Sequence, residues 1–170
     1  MRAPFCVLGT PRSRTTWLSR FLCCEHEPSV RFAGPEDIPR YFTEGRGAVD
    51  SMLTLRWRDV LAVPGIRVVA VERPLGEVIA SAKRAGMPPG TVLLQRLYAA
   101  LDELRSQVIV IPYKILEDPF ALCLIQNYLT YQWPTHEWLD EWMNRRVEPD
   151  MMATMRAVAA NAEGLRRLYG

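Results

Sequence analysis

Three short apolar runs, Phe5–Leu8, Ile66–Val71 and Val108–Ile111, lack any alternation of polar and apolar positions and are rich in β-branched residues. The pattern predicts strands buried on both faces. Each run is followed by a stretch with apolar residues at helical spacing: Thr15–Cys24, Leu75–Ala85 and Pro119–Leu129. Parallel strands need such crossovers, so the expected architecture is α/β: a single three-layer domain, mainly parallel sheet with helices on both faces. A weaker strand is expected at Val30–Phe32, and further helices at Gly90–Leu104 and Pro149–Tyr169. Trp133, Trp138 and Trp142 read as packing anchors in an aromatic-rich turn and helix. Between Ala33 and Pro64, glycines, prolines and the arginines Arg40, Arg46, Arg56 and Arg58 follow no single period. That segment reads as loops with short helices, either a plain surface connection or a lid or acceptor-binding insertion.

Composition narrows the class. A chain of 170 residues fits one compact domain, here 1–170, large enough to bury an apolar core. With 21 Lys and Arg against 19 Asp and Glu, the net charge of +2 gives no reason to expect a nucleic-acid partner. No apolar run approaches the roughly 20 residues of a membrane span, and Phe5–Leu8 is too short for a signal-peptide core. Of the four cysteines, Cys23 and Cys24 are adjacent, while Cys6 and Cys123 sit in apolar runs. Neither a metal-ligand spacing nor a disulfide framework appears. The expectation is a cytoplasmic chain without a membrane or a metal, whose function resides in a folded pocket.

The stretch Leu8-Gly9-Thr10-Pro11-Arg12-Ser13-Arg14-Thr15-Thr16-Trp17 lies between the first buried strand and the first helix. A helix start there presents unpaired amides and a positive dipole end, and the hydroxyls of Ser13, Thr15 and Thr16 add donors. Arg12 adds a fixed charge able to grip phosphate or sulfonate oxygens in a fork. Simple helix capping by Ser13 or Thr15 would not call for two arginines and Pro11 in one turn. After the second run, Arg73 stands at a strand end, and Ser81 lies two turns along the next helix.

These residues resemble a known family. Pro11 to Trp17 are similar to the 5′-phosphosulfate loop of the sulfotransferases (Pro, Lys or Arg, Ser, Gly, Thr, Thr, Trp) at every position but Arg14, where the family has glycine. Arg73, Pro74 and Ser81 resemble the family's 3′-phosphate-binding Arg and Ser, eight positions apart here as there. Tyr113 stands where the family has a tyrosine near the nucleoside, although Lys114 and Ile115 replace the acidic pair that follows it. The family's C-terminal Gly-rich loop is absent.

The resemblance implies a P-loop NTPase-like fold and metal-free transfer of a sulfuryl group from 3′-phosphoadenosine 5′-phosphosulfate to a hydroxyl or amine of a small molecule or glycan. Pro11, Arg12, Ser13, Arg14, Thr15, Thr16, Trp17, Arg73, Ser81 and Tyr113 would bind the cofactor, with Arg12 stabilising the leaving group. His26, or Glu27 second, would be the base, and a neighbouring carboxylate is expected to raise the His26 pKa. A polar turn closing the first helix is the competing reading of Glu25-His26-Glu27. The loop also resembles a Walker A motif, but Thr15 stands at its lysine, which weighs against a nucleotide kinase. A non-catalytic nucleotide-binding module is the third reading.

Overall fold

A computed structural model describes residues 3–86, 90–147 and 150–170; the expected helix start at Pro149 lies outside them. Five parallel strands, β1 (Phe5–Gly9), β2 (Glu25–His26), β3 (Gly47–Val49), β4 (Arg67–Glu72) and β5 (Ile109–Pro112), form one sheet in the order β2-β3-β1-β4-β5. β1 is flanked by β3 and β4, pairing Val7 with Val49 on one side and with Val69 on the other.

Side-chain alternation along the two central strands sorts the core into two layers. Cys6 and Leu8 of β1, with Val68 and Ala70 of β4, point to one face. They meet α2 (Asp37–Thr43), α3 (Trp57–Leu61), α5 (Thr91–Leu104) and α9 (Ala162–Tyr169), through Ile38, Phe42, Val60, Leu101, Leu104 and Leu168. Phe5, Val7, Val69 and Val71 point the other way, onto α1 (Thr15–Phe21), α6 (Pro119–Thr130) and α7 (His136–Met143). α4 (Leu75–Arg84) packs Val78 against Leu94 and Leu97 of α5. The expected three-layer α/β domain is therefore present. Local chemistry sets the helix starts: Asp118 accepts the Phe120 amide at 2.9 Å with Pro119 in the first turn of α6, and Thr135 accepts the Trp138 amide at 3.2 Å at α7.

Several expectations change. α1 ends at Phe21 rather than Cys24, because Cys23 turns left-handed (φ 51°) and the Cys24 amide reaches back to the Ser19 carbonyl at 2.9 Å, a Schellman closure. Val30–Phe32 is not a strand: Pro28–Arg31 form a 3₁₀ turn started by proline. Glu25 and His26 instead pair with β3 as the edge strand β2, so they are not a polar turn closing the helix. Val108–Ile111 is less buried than its composition suggests, since β5 closes the other edge and Ile109 is 58% exposed. Segment 33–64 is built into the core. It supplies β3, next to β1, and buries Ile38, Phe42, Val49, Leu53 and Val60. The last helix is broken in two, α8 (Met151–Ala160) and α9, at Asn161, whose side-chain amide donates to the Val30 and Phe32 carbonyls at 2.9 and 2.8 Å. Of the three tryptophans, Trp142 is buried and Trp138 packs on it, whereas Trp133 is exposed. Among the described residues, no helix is long and apolar enough to cross a membrane.

Candidate functional site

β1 is the point where the sheet's connections diverge. The chain leaves it through α1 on one face, whereas the next strand over, β4, leads into α4, which packs with α5 of the other layer. Adjacent strands with crossovers on opposite faces leave a crevice at their carboxyl ends, where α/β sheets hold ligands. The β1–α1 loop and the β4–α4 loop both open there.

Their geometry is tightly specified. Gly9 has φ 154°, and a Cβ there would lie 2.2 Å from the Val71 carbonyl oxygen, so only glycine lets β1 end this close to β4. The Thr54 hydroxyl accepts the Gly9 amide at 2.9 Å and donates to the Gly9 carbonyl at 3.0 Å. The Thr10 hydroxyl accepts the Arg73 amide at 2.9 Å and bonds the Ser13 hydroxyl at 2.6 Å, locking the first loop to the second. Arg12 and Arg14 then adopt left-handed backbone, φ 63° and 61°. Left-handed residues in a loop of this kind are among the backbone conformations by which successive amides turn to one side in anion-binding nests. Among the described residues, the first α1 amide with an intramolecular acceptor is that of Leu18, to the Arg14 carbonyl at 2.9 Å. Arg14 thus takes the conformation for which glycine is favoured, at a cost on the order of 1–2 kcal/mol.

Four of the expected site residues converge. The Arg12 Nε donates to the Ser81 Oγ at 3.2 Å, and the Arg73 Nη1 donates to the Arg12 carbonyl at 2.7 Å. The Arg73 guanidinium lies over the Tyr113 ring, 4.6 Å from its centre. Its Nε faces the Glu77 carboxylate at 3.4 Å, and the Tyr113 hydroxyl donates to the same Glu77 oxygen at 2.5 Å. Chiefly because of that Tyr113 bond, the Glu77 pKa is held below the usual carboxylate range.

Other expected residues take different posts. Ser13 is fully buried, its hydroxyl committed to Thr10. Trp17 points away from the crevice into the second core layer, stacked on Phe21 with ring centres 5.3 Å apart, while its indole N–H donates to the Trp142 carbonyl at 3.2 Å. The side chain of Arg14 leans toward Glu117 at 3.7 Å and over the Trp17 ring. Pro11 sits in the loop, partly buried.

On the opposite flank, the His26 Nε2 lies 3.2 Å from both the Thr15 and Thr16 hydroxyls. Its pKa is lowered, not raised: burial dominates, Asp50 pulls upward and Arg20 pushes downward. The expected carboxylate, Glu27, is 3.8 Å away, but its Oε1 is taken by the amide and hydroxyl of Ser51 at 3.1 and 2.7 Å. Beneath it Asp50, fully buried, accepts the Ser29 and Leu53 amides, each at 2.9 Å. Burial and then the Glu27 charge push the Asp50 carboxyl up to about 8.

Sequence reading missed Thr10, Thr54, Glu77 and Asp50. Glu77 was legible as an acid four residues after Arg73 at a helix start. Asp50 was hidden with β3. Among the described residues no group of three His, Cys, Asp or Glu side chains could hold a metal ion. Compared with known proteins, the chain matches no family model, and no curated protein or solved structure matches it significantly.

Proposed function

We propose that this protein is a sulfotransferase, moving a sulfuryl group from 3′-phosphoadenosine 5′-phosphosulfate to a hydroxyl or amine of a small-molecule or glycan acceptor. The observation that carries the reading is the union of Arg12 from the β1–α1 loop, Arg73 from the β4–α4 loop and Ser81 from α4 in one bonded cluster. A ligand with an anion at each end matches it: the 5′-phosphosulfate in the β1–α1 loop, the 3′-phosphate against Arg73 and Ser81. Two remote clusters would match only separate ligands.

In this reading the nucleoside extends over β4 and β5 toward Tyr113, so the acceptor enters from the β3 and β2 side, where His26 stands. The acceptor oxygen or nitrogen attacks sulfur in line, its proton passes to the His26 Nε2, and the bond from sulfur to the bridging oxygen breaks. The lowered pKa leaves His26 neutral near pH 7 and able to accept that proton. Charge growing on the departing 5′-phosphate meets Arg12 and the loop amides. Positioning and charge stabilisation thus supply the catalysis, as in phosphoryl transfer.

Titration calorimetry with 3′-phosphoadenosine 5′-phosphate and with ATP, each with and without Mg²⁺, tests the reading. Binding of the first without metal, weakened at least about tenfold by Arg73→Ala, is expected. Mg²⁺-dependent ATP binding with no response to the bisphosphate would replace this reading by a phosphotransferase. A panel of labelled acceptors then separates enzyme from binding module: transfer that falls at least about a hundredfold in His26→Ala supports catalysis with His26 as base.

A further inference from the structure

The place where a ligand phosphate would meet Arg73 already faces an anion. Glu77 belongs to the first turn of α4, and its side chain is 37% exposed. One carboxylate oxygen faces the Arg73 Nε at 3.4 Å and receives the Tyr113 hydroxyl at 2.5 Å; the other oxygen lies 3.9 Å from the Lys114 Nζ. The carboxylate therefore stands between two cations. Of these, Arg73 is 17% exposed and anchored on the Arg12 carbonyl at 2.7 Å, whereas Lys114 is 70% exposed. A phosphate docking on Arg73 brings up to two negative charges beside this carboxylate, and like charges that close repel strongly in a partly desolvated site.

We propose that Glu77 is an exchange anion: it holds Arg73 in place while the site is empty and shifts to Lys114 when a nucleotide phosphate arrives. The inference rests on the proposed function, since it takes Arg73 as the 3′-phosphate contact. Three observations support it. Arg73 has a second anchor besides Glu77, the bond from its Nη1 to the Arg12 carbonyl, made by a different nitrogen from the Nε that faces the carboxylate. Lys114 offers a second cationic partner on the solvent side, which spares the displaced carboxylate from being left unpaired. Glu77 is ionised at neutral pH, so the exchange is between full charges. It acts as a threshold: a ligand group must out-compete a built-in carboxylate, which favours a phosphate monoester dianion over a singly charged sulfate monoester or an uncharged hydroxyl.

The test is a double-substitution cycle on the full chain, Glu77→Gln, Lys114→Met and both together, read by calorimetry at low salt with two probes. The probes are 3′-phosphoadenosine 5′-phosphate and adenosine 5′-monophosphate, which lacks the 3′-phosphate. Circular dichroism confirms the fold of each variant. Glu77→Gln should bind the bisphosphate about tenfold more tightly and the monophosphate unchanged. Lys114→Met should weaken the bisphosphate about threefold in the native background and have no effect once Glu77 is Gln. A role limited to orienting Arg73 predicts equal or weaker binding in Glu77→Gln, and that result overturns the exchange while leaving the proposed function standing. Equal effects of Lys114→Met in both backgrounds overturn it as well. No binding of the bisphosphate by the native chain removes both readings together.

Discussion

Gly9 is the residue on which the crevice turns. Any side chain there would meet the Val71 carbonyl oxygen at 2.2 Å, and β1 would have to part from β4 to make room. Gly9→Ala should cost about 2–3 kcal/mol of unfolding free energy, the range for an overpacked site without free volume. It should also weaken bisphosphate binding, because Thr10, the next residue, ties the Arg73 amide to the first loop. Urea denaturation checks the first effect and calorimetry the second. A fall in stability with unchanged binding would show that the two loops hold their spacing without the β1–β4 contact. Other choices at this scale work in the same direction. Arg12 and Arg14 accept left-handed backbone where glycine would be easier, and each thereby adds a guanidinium to the loop. Arg12 bonds the Ser81 hydroxyl, while Arg14 turns aside to Glu117 and Trp17.

Among the elements, α1 carries the greatest burden, since its first turn lines the crevice and its buried side anchors the second core layer. That anchor is aromatic: Trp17 stacks on Phe21 and meets Trp142 of α7 edge-on, with ring centres 6.1 Å apart, and Trp142 is itself 4% exposed. Removing the α7 side of this contact leaves a large cavity against α1. Trp142→Ala should lower unfolding free energy by about 3–5 kcal/mol, the usual cost of deleting a buried aromatic, measured as a shift in denaturation midpoint. A loss under about 1 kcal/mol would mean that α7 is not a structural support of α1. Trp133→Ala serves as the control, because that side chain is exposed and should change stability little.

For the whole molecule, the buried acids at the carboxyl ends of β2 and β3 tie stability to pH. Asp50 titrates near 8 when folded, raised by burial and by Glu27, and in the ordinary carboxylate range when unfolded. The folded chain thus holds a proton that the unfolded chain has released, so stability falls as pH rises through the folded pKa. His26 acts in the opposite sense and at lower pH: its folded pKa is lowered, so stability falls as pH drops below its ordinary value near 6.5. Together they predict a falling limb between about pH 6.5 and 8 that belongs to Asp50, with a slope approaching about 1.4 kcal/mol per pH unit. Asp50→Asn should flatten that limb, as followed by thermal unfolding across the range. A limb of unchanged slope in Asp50→Asn would assign it to another group.

The sequence by itself determined the strands β1 and β4, the helices α4, α5 and α6, and the residue types gathered at the first two strand ends. Uninterrupted β-branched runs and helical spacing are local signals, readable without the rest of the chain. It could not locate β3. Gly47-Ala48-Val49 is too short and too small in its side chains to stand out, and becomes a strand because it pairs with β1 and with Glu25 and His26 of β2. The setting of His26 was hidden for the same reason: whether a histidine beside acids is raised or lowered depends on what buries it, and burial comes from the fold. Only the tertiary structure decided that Trp17 faces the core, that Ser13 is spent on Thr10, and that Glu77 stands in front of Arg73. Arg12, Arg73 and Ser81 were each visible as chemistry along the chain, but their meeting was settled where two crossovers leave adjacent strands toward opposite faces, a geometry that no local stretch of sequence contains.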